Sequence, residues 1–186
     1  YPKNGENMHD AVQRESKAAR DSAGILDAST LGKIDIQGTD ASEFLNRVYT
    51  NAWSKLAIGK CRYGLMLNED GMVYDDGVTT RLDENHYIMT TTTGGAATVL
   101  GKLEDYLQTE WPELDVYLTS VTDHYATVSV CGPNSKKIVS QVIPDLDFSD
   151  ESFPHMSFKN TKINRIRCRV MRISFTGEHS YEINVQ

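Results

Sequence analysis

Residues 68–82 read NEDGMVYDDGVTTRL, and how this stretch folds decides the rest. Asn68, Asp70 and Gly71 are residue types that accept the backbone angles of a tight hairpin turn. CRYGLML (61–67) precedes the turn, and a run rich in Val, Tyr and Thr follows it. Both flanks have the composition of strands, so the segment predicts a β-hairpin. HYIMTT (86–91) supplies a further strand. The anomaly is the pair Asp75 and Asp76, because aspartate is depleted from strands. Side chains alternate faces along a strand, so the two point opposite ways and cannot form an acid/base dyad. Met72, Tyr74, Asp76, Val78, Thr80 and Leu82 share one face, and Val73, Asp75, Gly77, Thr79 and Arg81 share the other. The first face is the more apolar, which makes Asp76 the shielded aspartate. Desolvation raises the pKa of such a carboxylate unless hydrogen bonds offset it, and perturbed carboxylates in clefts are functional candidates. The competing reading is that both aspartates discourage edge-to-edge aggregation. Gly77 allows another backbone, or a ligand, to approach closely.

Outward from the hairpin, residues 6–22 carry apolar positions at helical spacing. Ile34 and Ile36 alternate with Lys33, Asp35 and Gln37 in a strand. Thr39 or Asp40 is placed to cap a helix whose stripe is Phe44, Leu45, Val48 and Tyr49. Thr92 or Thr93 is placed to cap another, with Val99, Leu100, Leu103, Tyr106 and Leu107 on one face. LDVYLTSVT and HYATVSVCG read as strands, GPNSKKIVSQVI opens a helix with proline in its first turn, and the last third returns to strands. The order is α-β-α-βββ-α-ββ-α-βββ. Strands clustered between single helices predict an α+β fold with mainly antiparallel or mixed sheets and three to four helices.

With 186 residues the chain fits one domain, or one and a half small ones. A net charge of −7 and a pI near 5.2 argue against nucleic acid, which needs a basic face to displace phosphate counterions. The local exception is RIRCRVMR (165–172), whose alternating Arg165, Arg167 and Arg169 read as a solvated strand face. Cys61, Cys131 and Cys168 are odd in number, widely spaced and lack CxxC. They predict buried free thiols in a reducing, cytoplasmic setting. No apolar run approaches the ~20 residues of a membrane span. There is no signal h-region at Tyr1, and the expectation is a chain cut at both ends from something longer. No GxGxxG, GxxxxGK[ST], HExxH or GxSxG occurs. The histidines at 9, 86, 124, 155 and 179 show no ligand spacing. No metal site is expected, and no redox cofactor held by this segment alone.

GILDASTLGKIDIQG, CRYGLMLNEDGMVYDDGVTTRL, TTTTGGAA, LTSVTDHYATVSVCGP and FTGEHSYEI, in this order, resemble a known family. It is the folate-binding, aminomethyltransferase-like region of sarcosine oxidase α subunits, similar to the glycine-cleavage T-protein and to the C-terminal half of dimethylglycine dehydrogenases. The resemblance covers essentially residues 1–186 and implies a partial folate domain lacking the family's C-terminal part. It also implies a tetrahydrofolate site. Asp76 matches the family's aspartate near the folate nitrogens that accept a one-carbon unit. Tyr63, Met89 to Thr91, Phe175 and Glu182 match its folate-contacting positions. A carboxylate suits a pterin, since it can accept two parallel N–H bonds. Phe175 departs from the family's tyrosine, and His155 falls where the T-protein uses another. The implied function is acceptance of the one-carbon unit from oxidative demethylation of sarcosine, forming 5,10-methylenetetrahydrofolate. Flavin and NAD would lie in other parts or subunits of the holoenzyme, which would be partners. The alternatives are a T-protein-like aminomethyltransferase, a folate-dependent demethylase, or a non-catalytic folate-sensing or scaffold module.

Overall fold

A computed structural model describes residues 1–186. In chain order its elements are α1 (Met8–Asp21), β1 (Gly24–Asp27), β2 (Gly32–Gln37), α2 (Ala41–Val48), β3 (Cys61–Leu67), β4 (Val73–Asp83), β5 (His86–Thr91), α3 (Ala96–Asp105), β6 (Tyr117–Ser120), β7 (Ala126–Cys131), α4 (Ser135–Val142), β8 (Ser157–Ile163), β9 (Ile166–Arg172) and β10 (Ser180–Val185). This is the expected α+β order with one extra short strand, β1. Two compact units result, one from Ser29–Tyr125 and one from Tyr1–Ala28 with Ala126–Gln186. No helix is long and apolar enough to cross a membrane.

The Ser29–Tyr125 unit is a five-stranded sheet, ordered β3-β4-β5-β2-β6, with every pairing antiparallel. The β3–β4 hairpin forms as expected. The Gly71 N–H donates to the Asn68 carbonyl, and Gly71 takes the positive φ of 79° that the turn requires. Helices α2 and α3 carry the predicted apolar stripes into one core, where Phe44, Leu45, Val99 and Leu103 join Ile34, Ile36, Tyr87 and Met89. Helix capping differs from expectation. Asp40 precedes α2 without a side-chain cap, and Gly95 precedes α3. Thr92 still serves the α3 entry, because its hydroxyl accepts the Gly95 N–H at 3.1 Å.

The other unit has the sheet order β1-β7-β10-β9-β8, again antiparallel throughout. Its core joins Val139 of α4 and Ile143, which caps the end of that helix, to Val130, Val170, Tyr181 and Ile183. Pro133 lies just before the helix, whose N-cap is Asn134. Asn164 and Arg165 form the β8–β9 turn at φ 48° and 74°, the paired positive angles of a two-residue hairpin. Arg165 is thus a turn residue and leaves the expected arginine face. That face is built instead from Arg167 and Arg169, with Lys162 directly opposite Arg167.

Tyr181 packs edge-on against Phe148, with ring centroids 5.3 Å apart, and its hydroxyl is buried without a hydrogen-bond partner. Burial pushes its pKa up. An unpartnered buried hydroxyl opposes folding, so Tyr181→Phe is expected to leave stability unchanged or raise it by about 1 kcal/mol. Urea denaturation checks this, and a clear loss would show that the hydroxyl contributes to the fold.

Candidate functional site

The two aspartates point opposite ways, as alternation demands, but the assignment of faces is reversed. Asp75 is the buried one, at 4% exposure, and Asp76 is only partly buried. A register shift is part of the cause. Met66 pairs with Asp75 while Leu67 pairs with Val73, which leaves Tyr74 as an extra residue. A second shift between Arg81 and Asp83 does the same to Leu82. A bulge breaks the two-residue alternation, so Tyr74 and Leu82 cannot vote for the face of Asp76. Tyr74 indeed packs on the core and turns toward α3, its hydroxyl donating to the Thr98 carbonyl at 3.4 Å.

Asp76 faces Leu65 across the ladder, and Tyr63 lies one diagonal step away on β3. The Tyr63 hydroxyl donates to Asp76 Oδ2 at 2.8 Å. That bond to a carboxylate is the main reason the Tyr63 pKa is raised. Tyr63 is 50% exposed, so the pair presents a phenol and a carboxylate to solvent. Oδ1 of Asp76 is left to accept a further hydrogen bond.

Beneath the pair stands Tyr49, which the sequence marks only as a core position. It is buried, and its hydroxyl points at Met89 Sδ, 3.9 Å away. Desolvation first, and then the charges of Asp75 and Asp76, push its pKa well up. Both phenols therefore hold their protons throughout the neutral range. Gly77 is explained by a neighbouring backbone rather than a ligand, since a Cβ there would lie 1.9 Å from the Thr90 carbonyl oxygen of β5.

The remaining expected positions lie outside β3 and β4. Met89 and Thr91 lie on β5 with side chains 0% and 2% exposed. Met89 borders the cluster through its contact with Tyr49, and the Thr91 hydroxyl donates to the Thr92 carbonyl. Phe175 and Glu182 belong to the other unit. There Phe175 is 92% exposed, and Glu182 on β10 pairs with Ser129 and Met171. The structure thus brings Tyr63 and Asp76 together and adds Tyr49 and Asp75. No pattern signal marks Tyr49, because a tyrosine on a helix's apolar stripe reads as packing.

Two antiparallel sheets with four helices, and a strand aspartate held by a tyrosine on the adjacent strand, define an α+β domain with a carboxylate–phenol pair at its surface. The chain belongs to the family of the GCVT N-terminal domain, whose model matches residues 1–186. It is 55% identical over 186 residues to the sarcosine oxidase subunit alpha of Corynebacterium sp. (strain U-96), covering 100% of this chain and 19% of that relative. It thus spans about a fifth of that relative's length. The glycine cleavage system aminomethyltransferase T from Bartonella henselae superposes with a TM-score of 0.78 at 24% identity, over 93% of this chain and 44% of that one. A chain of the heterotetrameric sarcosine oxidase from Corynebacterium sp. U-96, in complex with pyrrole 2-carboxylate, superposes with a TM-score of 0.59 at 14% identity, over 95% of this chain and 83% of that one. Both superpositions speak for the fold.

Proposed function

We propose that this chain is the tetrahydrofolate-binding region of a sarcosine oxidase α subunit, working in a hetero-oligomeric oxidoreductase. There it places folate to receive the one-carbon unit released when a flavin elsewhere in the assembly oxidises sarcosine. The identity of 55% to a sarcosine oxidase α subunit over the whole chain favours this reading over a free-standing aminomethyltransferase. The observation that carries the site is the 2.8 Å hydrogen bond from Tyr63 to Asp76.

Tetrahydrofolate supplies secondary-amine nitrogens that take up a one-carbon unit. The donor set fits such a group. Asp76 offers a solvent-facing acceptor oxygen suited to an N–H, while Tyr63 occupies its other oxygen and fixes the plane of the carboxylate. Within this reading Asp76 orients the ligand N–H, takes up its proton and balances positive charge at the reacting nitrogen. Tyr63 keeps Asp76 in one rotamer, and holding reactants in register is the main lever for a transfer of this kind.

The test is calorimetric titration of the full-length protein with 5-formyltetrahydrofolate, beside Asp76→Ala. The parent is expected to bind. The variant, losing a charge-assisted hydrogen bond of about 1.5–3 kcal/mol, is expected to bind at least tenfold more weakly. A parent that does not bind would overturn the folate reading.

A further inference from the structure

The aspartate that the one-carbon reading leaves unused is Asp75. Its side chain is buried, yet it carries a carboxylate, which is costly to bury without strong partners. Its partners all lie in one turn. Asp75 Oδ1 accepts the Thr92 hydroxyl at 2.6 Å, and Oδ2 accepts the Thr92 N–H at 3.2 Å. The Thr92 oxygen in turn accepts the Gly95 N–H. Gly95 is packed so tightly that a Cβ there would sit 2.6 Å from Asp75 Oδ1. One carboxylate therefore ties the start of β4 to the turn that starts α3.

The tie is placed where the strand is least determined by its ladder. Tyr74, one residue earlier, has no partner on β3. A bulge bends its strand and re-aims the side chains beyond it. Asp76, one residue later, is held on its own side only by a half-exposed tyrosine. Consecutive strand side chains project from opposite faces of one rigid peptide. Pinning Asp75 below therefore sets the rotation of the strand, and with it the direction of Asp76 above.

We propose that Asp75 is a positioning residue: clamped to Thr92 and the Gly95 turn, it fixes the orientation in which Asp76 and Tyr63 meet their ligand. This rests on the reading that the Asp76–Tyr63 face receives tetrahydrofolate. A second observation fits it. Tyr49, buried beneath both aspartates, feels the charge of Asp75 as well as that of Asp76, so the clamp and the presenting carboxylate share one neighbour.

The experiment uses the full-length protein in its assembly, with Asp75→Asn, Thr92→Val, the double variant and Thr92→Ser. Thr92→Val removes only the hydroxyl and keeps the buried charge, so it reports even if Asp75→Asn folds poorly. Three quantities are read: the Kd for 5-formyltetrahydrofolate, amide exchange at Thr92 and Gly95, and KM for tetrahydrofolate apart from kcat. Asp75→Asn and Thr92→Val are each expected to raise Kd and KM about tenfold. The double variant should be no worse than either single one, because they break one clamp. Thr92→Ser should stay within about twofold of the parent, since it keeps the hydroxyl. Exchange at Thr92 and Gly95 should quicken in the first three variants. Mere destabilisation would lower the active fraction, and so kcat, while leaving KM unmoved, and that outcome would overturn the proposal. So would a parent-like Kd in both single variants of a parent that binds. A parent that does not bind removes the folate reading itself, and this inference with it.

Discussion

Trp53→Ala is expected to destabilise the Ser29–Tyr125 unit by about 3–5 kcal/mol, the range for deleting a fully buried large aromatic. Trp53 sits in a single 3₁₀ turn, Trp53–Lys55, and is 0% exposed. Its backbone N–H is held by Asn46 Oδ1 at 2.5 Å, which fixes where the ring enters the core. The indole fills the space that a side chain at residue 64 would need, since a Cβ on Gly64 would meet Trp53 Cζ2 at 2.6 Å. Tyr49 packs edge-on against it, with ring centroids 5.5 Å apart. The cavity left by alanine would be walled by strand backbone, which collapses poorly, so the loss belongs at the upper end of the range. The indole N–H is buried without a partner, so Trp53→Phe should cost clearly less than alanine, having no donor to strand. Urea unfolding of the two variants decides it. Equal losses would mean that the ring edge carrying Nε1 contributes as much as the buried area. The change should also reach the site, because Tyr49 would lose its packing partner beneath Asp75 and Asp76.

What could be read from the sequence divides along physical lines. Helix stripes and strand clusters follow from periodicity, so the element order and the α+β class were legible. The hairpin at Asn68–Gly71 was legible because its turn chemistry is local. β1 was not, because GILD is four residues at a sheet edge with Ile25 and Leu26 both exposed. Such a strand buries neither face and leaves no pattern. The face of Asp76 was misread in part because parity holds only while the ladder is unbroken, and a bulge leaves no mark in composition. Tyr74 and Leu82, two of the apolar residues in that count, are the two that the bulges displace. The Tyr63–Asp76 pair was found through a family resemblance, and the structure shows why the spacing matters. Thirteen residues along the chain, including one tight turn, bring them one diagonal step apart across a ladder. Thr92 was legible as a helix-start residue, but its bond to Asp75 depends on a contact 17 residues away.

Asp76→Asn is expected to lower tetrahydrofolate-coupled turnover about 100-fold, the lower bound for loss of a positioned proton acceptor. The side chain keeps its shape and one acceptor oxygen, so ligand affinity should change far less than turnover. This split separates Asp76 from Asp75. In the proposed function Asp76→Asn removes charge where the one-carbon unit is transferred, whereas Asp75→Asn is expected to loosen a clamp and show in KM. Sarcosine consumption should continue in the Asp76→Asn variant, because oxidation is proposed to occur elsewhere in the assembly. The one-carbon unit should then emerge as free formaldehyde in place of the folate product. Tyr63→Phe should give a milder loss, since it frees the Asp76 rotamer without removing its charge. The pH dependence carries a sign. The bond to Asp76 raises the Tyr63 pKa above its ordinary 10.0. The stabilising contribution of that bond is therefore fully present below pH 10 and is lost as pH rises through the higher folded value. The parent should hold its coupled turnover through neutral and mildly alkaline pH without a tyrosine titration. Measuring formaldehyde and folate product side by side for parent, Asp76→Asn and Tyr63→Phe reads all of this. Parent-like partitioning in Asp76→Asn would remove Asp76 from the transfer and leave the pair a structural feature of the hairpin.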